Sequence, residues 1–259
     1  AVIVIVVGIL FIPWNITGLA SHSNPVKSYD EAVQRIQAMQ ASGASKMNPK
    51  CITQFMTHGQ QTQHVIILVH GYTNCPEQFA ELGQRFYDLG YNVLIAPLPH
   101  HGLADRMTDE QGQLKAEELA AYADQVVDIA DGLGKQVTMV GLSAGGVTTA
   151  WAAQNRKDID LAVVISPAFG FQAIPTKLTA PVMNVVSSLP DTFVWWDETL
   201  KENSLPTHAY PRYSKHTLAQ IMRLGFAVQA KAKAQAPAAN KILVITNAND
   251  TSVNNVLTA

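Results

Sequence analysis

Three pieces follow one another without a break near the middle of the chain. Gln136-Val137-Thr138-Met139-Val140 is a short apolar, β-branched run that reads as a buried strand. Gly141-Leu142-Ser143-Ala144-Gly145 is a G-x-S-x-G turn, and Gly146 to Gln154 reads as a helix of small residues. A strand, this turn and a helix in that order lift a serine hydroxyl above the edge of a sheet. Glycine two before and two after Ser143 leaves room for a strained turn and for close strand–helix packing. Ser143 is therefore the first candidate for chemistry.

A second run agrees with the first. Val65-Ile66-Ile67-Leu68-Val69 is continuously apolar, as in a strand buried on both faces. It runs into His70-Gly71-Tyr72-Thr73-Asn74, and Pro76-Glu77 opens a helix that closes at Gly90. Here the chain resembles the α/β-hydrolase family, and within it the bacterial carboxylesterases and monoacylglycerol lipases, whose oxyanion loop follows the third strand as His-Gly-X. The resemblance covers residues 50 to 255 and rests on four ordered motifs.

The resemblance implies an α/β fold: a mostly parallel sheet with helices on both faces and a helical cap insertion. The remaining segments fit it. Pro25 to Ser42 has helical apolar spacing, and residues 51–57 and 64–70 read as a hairpin around Gly59-Gln60. Asn92 to Ala96 and Leu161 to Ile165 are further strands, and Lys241 to Thr246 is the last clear one. Leu119 to Ala130 is an amphipathic helix, read as ended by Gly132 and Gly134. Between 165 and 241 no strand signal appears, and a structureless loop of that length is unexpected in a compact domain. The core is accordingly expected over residues 26–168 and 238–259, with the cap at 169–237.

Site residues follow from the same resemblance. Ser143 would be the nucleophile, and the backbone N–H groups of Ala144 and Tyr72 would form the oxyanion hole. The Tyr72 ring would also pack on the acyl part of a substrate. Asp250, just after the last strand, matches the orienting carboxylate; its other reading is an N-cap for a segment opening at Thr251. Asp191 and Asp197 lie in the cap and fit less well. Cap aromatics, Trp195 and Trp196 foremost, would line an acyl pocket or form the cap's own core.

The base is the gap. In the order Ser, Asp, His it follows Asp250, yet none of the nine residues after Asp250 is histidine. A helix, a strand and two loops, roughly 25 residues, are read as missing from the end of the core. Their absence would leave one edge of the sheet exposed. Of the eight histidines, His70 belongs to the oxyanion loop and His100-His101-Gly102 resembles the family's loop after the fourth strand. His208 or His216 of the cap is the alternative base, and a metal site at His100 and His101 is disfavoured because adjacent side chains diverge.

Composition sets the outer limits. A formal net charge of −2, without a Lys/Arg cluster, gives no footprint for nucleic acid. Nothing in the chain calls for a cofactor or a metal. Ala1 to Ile12 is unbroken in its apolarity, but a bilayer span needs about 20 residues. The segment is read as a signal-anchor or signal-peptide remnant with Thr17 to Pro25 as a spacer, or else as an N-terminal strand. Membrane anchoring or export is the expected location on the first reading, the cytoplasm on the second. Cys51 and Cys75 are either a disulfide, suited to an exported protein, or two buried thiols.

The expected activity is hydrolysis of short or medium acyl esters, monoacylglycerols included, through an acyl-enzyme. The rivals are a non-catalytic binding protein that kept the fold, and acyl transfer or peroxide-dependent chemistry on the same triad.

Overall fold

The computed structural model describes residues 8–258. Its frame is a six-stranded sheet in the order β1-β3-β2-β4-β5-β8. The strands are β1 (Gln54–Met56), β2 (Thr62–Val69), β3 (Asn92–Ile95), β4 (Gly134–Leu142), β5 (Leu161–Ile165) and β8 (Ile242–Ile245). All pairings are parallel except that of β1, which runs antiparallel to β3 with Gln54 opposite Ile95.

Side chains of a strand alternate between faces, and β2 fills both. Val65, Ile67 and Val69 join one core with α1 (Tyr29–Ala41), α3 (Ala116–Leu133) and α4 (Ala144–Asn155). Ile66 and Leu68 join a smaller core on the other face with Phe86 of α2 (Ala80–Asp88). Helices thus lie on both faces. The four residues of β8, by contrast, are 42–49% exposed.

The expected hairpin of 51–57 with 64–70 does not form. β2 is central and spends both hydrogen-bonding sides on β3 and β4, so the segment before it pairs at the far side of β3 instead. Gly132 does not end α3 either. The helix passes through it to Leu133, and a Cβ on Gly132 would lie 2.6 Å from the Ser28 carbonyl oxygen, so glycine allows the start of α1 to approach. Between β5 and β8 lie α5 (Thr179–Ser188), β6 (Phe193–Trp195), β7 (Arg212–Ser214) and α6 (Lys215–Ala234). β6 and β7 form a two-stranded antiparallel ribbon that sequence periodicity did not signal, each strand being three residues long. Ile221, Leu224 and Val228 of α6 belong to the main core.

The segment read as a spacer is a strap bound to the domain. Trp151 Nε1–H donates to the Leu19 carbonyl, the Asp124 carboxylate accepts from Ser21 Oγ–H and His22 N–H, and Asp128 accepts from Asn24 N–H. Further up, Asn184 of α5 donates to the carbonyls of Leu10 and Ile12 and accepts from Trp14 N–H. Residues 1–7, the first part of the apolar run, lie outside the described residues. No helix among the described residues is long and apolar enough to cross a membrane. Cys51 and Cys75 are joined as a disulfide, which decides between the two readings of the pair.

Candidate active site

Two parallel neighbours carry the site. β2 and β4 are in register from Thr62 opposite Gly134 to Val69 opposite Gly141, so the loops leaving them start side by side at the carboxyl end of the sheet. That end, beside a crossover in strand order, is where ligands bind in sheets of this kind.

From β4 the chain turns at Ser143, with φ 56° and ψ −111°, and α4 begins at once. A serine at positive φ is held there by its surroundings at a cost of about 1–3 kcal/mol. Ser143 N–H donates to the Ile165 carbonyl (3.0 Å), while its own carbonyl accepts from the N–H groups of Val147 and Ala168. The flanking glycines are demanded by space: a Cβ on Gly141 would lie 2.0 Å from the Gly145 carbonyl oxygen, and one on Gly145 would lie 2.2 Å from that of Val69. No described group hydrogen-bonds Ser143 Oγ.

Gly71 of the other loop faces the serine. A Cβ built on it would lie 3.6 Å from Ser143 Cβ. Its N–H donates to Gln78 Oε1 (2.8 Å), and Asn74 N–H closes a turn back onto its carbonyl (3.2 Å). The N–H groups of Tyr72 and Ala144 donate to no described acceptor. Each of the two loops thus carries one unused backbone donor next to a residue of the Gly71–Ser143 contact, and an oxyanion hole needs two such donors.

His70 is fixed beneath this loop. Nδ1–H donates to the Gly71 carbonyl (2.8 Å) and Nε2 accepts from Leu98 N–H (2.9 Å), so both ring nitrogens are occupied. Burial, then the neighbouring His101 charge, pushes its pKa down to about 3. His101 is also buried, its pKa pushed down to about 4 by desolvation, with Nδ1 on the Pro99 carbonyl (2.8 Å). His216 Nε2 meets the Leu189 carbonyl, and His100 sits between Glu110 and Glu118. None of these rings, nor that of His208, hydrogen-bonds Ser143.

The segment between β5 and β8, read as a cap, rests on the loop 70–74. The Tyr72 ring, expected against an acyl chain, is buried edge-on to His101, and its hydroxyl accepts from Ser214 N–H (2.9 Å). Trp196 Nε1–H donates to Thr73 Oγ1 (3.0 Å), and the Trp196 ring lies 4.5 Å from that of Tyr213. Trp195 ends β6 opposite Arg212. Asp250 Oδ1 accepts from the N–H groups of Ser252 and Val253, a local turn and not a helix cap, since no helix opens at Thr251 and the short helical turn Asn255–Leu257 is capped by Asn254; Oδ2 has no partner among the described residues. Asp191 accepts from Ser214 Oγ–H and His216 N–H, and Asp197 from Thr199 N–H, so both are bonded within residues 191–216.

Sequence reasoning missed Gln78, Thr73 and the His101 packing. None has a local signature: Thr73 and His101 work through partners distant in the chain, and Gln78 reaches back seven residues to Gly71 through a turn that no motif specifies. Among the described residues no group of three His, Cys, Asp or Glu could hold a metal ion. A groove of about 1250 Å³ runs between α1, α3 and the strap, but Ser143 is not in its wall.

Comparisons with known proteins give the family and the fold. The family model described as serine aminopeptidase, S33, matches residues 60–255. A thermostable monoacylglycerol lipase from Bacillus sp. (strain H-257) is 27% identical over 174 residues, which are 65% of this chain and 63% of that lipase. The chain thus spans less than two thirds of that relative. Among solved structures, a metagenome-derived lipolytic enzyme superposes with TM-score 0.63 at 21% identity, over 81% of this chain and 80% of the other. The monoacylglycerol lipase of Paleococcus ferrophilus gives 0.59 at 18% identity over 80% of each chain. A soluble variant of the Saccharomyces cerevisiae monoglyceride lipase gives 0.61 at 15% identity, over 80% of this chain and 76% of that one. These superpositions show the fold.

Proposed function

Because the chain belongs to the serine aminopeptidase S33 family of α/β-hydrolases, we propose that it hydrolyses carboxylic esters of short or medium acyl groups, monoacylglycerols among them, through an acyl-enzyme on Ser143. The observation that carries the reading is the serine at positive φ, with the N–H groups of Tyr72 and Ala144 in the two adjoining loops left unused. Ser143 Oγ attacks the ester carbonyl as its proton passes to a base. The oxyanion takes hydrogen bonds from Ala144 and Tyr72 N–H, and the alcohol leaves with a proton. Water then attacks the acyl-enzyme and the second tetrahedral state collapses to free acid and Ser143. His70 is unsuited to be the base, since both of its ring nitrogens are bonded elsewhere, and neither His101 nor His216 hydrogen-bonds Ser143. Asp250 Oδ2 is the carboxylate that would orient it. The curated monoacylglycerol lipase relative supports the ester class.

Turnover of p-nitrophenyl butyrate and monoacylglycerol by protein made from its complete reading frame tests this. Ser143→Ala is expected to abolish it. Cleavage of aminoacyl anilides with no ester turnover would overturn the ester reading.

An oxidising compartment is proposed as the place of work, supported by the disulfide. Contact with lipid is proposed through the strap, where Ile9, Phe11 and Ile12 are 47–63% exposed beside Val185 of α5. Sedimentation with phosphatidylcholine vesicles should carry the protein down, and less so with Phe11→Asp; a wild type left in the supernatant contradicts it.

A further inference from the structure

The turn Gly71–Asn74 has Tyr72 and Thr73 as its central residues, closed by Asn74 N–H on the Gly71 carbonyl. Thr73 has φ 63°. A positive φ at the third residue of a turn favours glycine or asparagine, and a β-branched residue there is an outlier. Local preference therefore does not explain threonine. Its partners do. Thr73 is buried, and both of its free acceptors point to the cap: Oγ1 accepts from Trp196 Nε1–H (3.0 Å) and the carbonyl accepts from Tyr210 N–H (2.8 Å). Two residues on, Cys75 is bonded to Cys51, which anchors the far side of the turn. Tyr72, whose N–H has no described acceptor and which follows Gly71 beside Ser143, is thus held between a covalent anchor and the cap.

We propose that Thr73 is a positioning residue: its hydroxyl, held by Trp196, ties the seating of the cap to the placement of the Tyr72 oxyanion donor. The inference rests on the reading of Ser143 as nucleophile. A cap that lifts releases Trp196 from Oγ1, and the turn is then free to leave its outlying φ, re-aiming the donor. The cap thereby acts on kcat as well as on substrate access, and it does so without Trp196 touching the reacting atoms.

The test is steady-state kinetics on p-nitrophenyl butyrate with protein from the complete reading frame, comparing Thr73→Val, Thr73→Ser, Trp196→Phe and the double variant Thr73→Val/Trp196→Phe. Outright removal of an oxyanion donor costs about 10²–10³ in kcat; displacing one is expected to cost about tenfold. Thr73→Val should therefore lose about tenfold in kcat with KM within about twofold, and Thr73→Ser, which keeps Oγ1, should recover most of the loss. Trp196→Phe should match Thr73→Val, and the double variant should be no worse than either. Wild-type kcat in Thr73→Val, an equal loss in Thr73→Ser, or additive losses in the double variant would overturn the proposal. Should Thr73→Val not fold, Trp196→Phe decides, and wild-type kcat there overturns it. A wild type that neither turns over ester nor reacts at Ser143 with a fluorophosphonate overturns the underlying hydrolase reading instead, and this inference with it.

Discussion

Gly145 is the residue that lets the serine turn exist. A Cβ there would meet backbone, the Val69 carbonyl oxygen at 2.2 Å, and no side-chain rotation relieves that. Gly145→Ala is expected to cost about 3 kcal/mol or more, read as a drop in denaturation midpoint; a cost below about 1 kcal/mol would contradict the packing. His70 and His101 give a second residue-level prediction. Burial holds their pKa values near 3 and 4, whereas the unfolded chain takes up protons near 6.5. Below pH 6.5 the unfolded state then binds more protons than the folded one. The stability these rings contribute is complete above pH 6.5 and falls as pH drops, by about 2 kcal/mol for each ring at pH 5. Imidazole nitrogen NMR at pH 5.5 should show both rings neutral with the proton on Nδ1. A ring that titrates near 6.5 would contradict its bonding.

At the scale of elements, the disulfide and a buried ion cluster do the fastening. Cys51–Cys75 closes a loop of sequence separation 24, containing β1, β2 and the oxyanion loop. Cross-linking a loop of that size stabilises by about 3 kcal/mol. The Cys51→Ala/Cys75→Ala variant is expected to melt on the order of 10 °C lower by calorimetry; an unchanged melting temperature would contradict a structural role. Arg156 is buried and paired with Asp124, Asp128 and Asp158, and the first two also hold the strap. Arg156→Met leaves those carboxylates uncompensated and is expected to cost about 3–5 kcal/mol. Proteolysis should then cut the strap first, between residues 15 and 26. Digestion that begins elsewhere would place the strap's anchorage on other contacts.

Much of this was legible in the chain. The strands β2, β3, β4, β5 and β8 announce themselves because each is an apolar run bounded by turn residues. The Ser143 turn does so because its glycines are required by backbone contacts that any such turn makes. The order of strands was not legible at β1, since pairing depends on which neighbours β2 has already taken. The β6–β7 ribbon was invisible, three residues being too short for a period. Thr17 to Pro25 looked like a spacer because its polar residues resemble solvated chain; that they bind α3 depends on Asp124 and Asp128, a hundred residues away. At the candidate site, Ser143, Tyr72 and Ala144 were proposed from a motif, whereas Gln78, Thr73 and Trp196 act through contacts no motif encodes.

At the scale of the whole molecule, the fold places Ser143 at the carboxyl end of β4 beside the loop that leaves β2, and the segment between β5 and β8 rests on that loop. The reactivity of Ser143 is what the account stands on. Protein made from the complete reading frame, treated with a fluorophosphonate and digested for mass spectrometry, should carry a single adduct on Ser143. Labelling should be lost in Ser143→Ala and slowed by prior incubation with a monoacylglycerol. Labelling at another serine, or none in a protein shown by circular dichroism to be folded, would contradict the account.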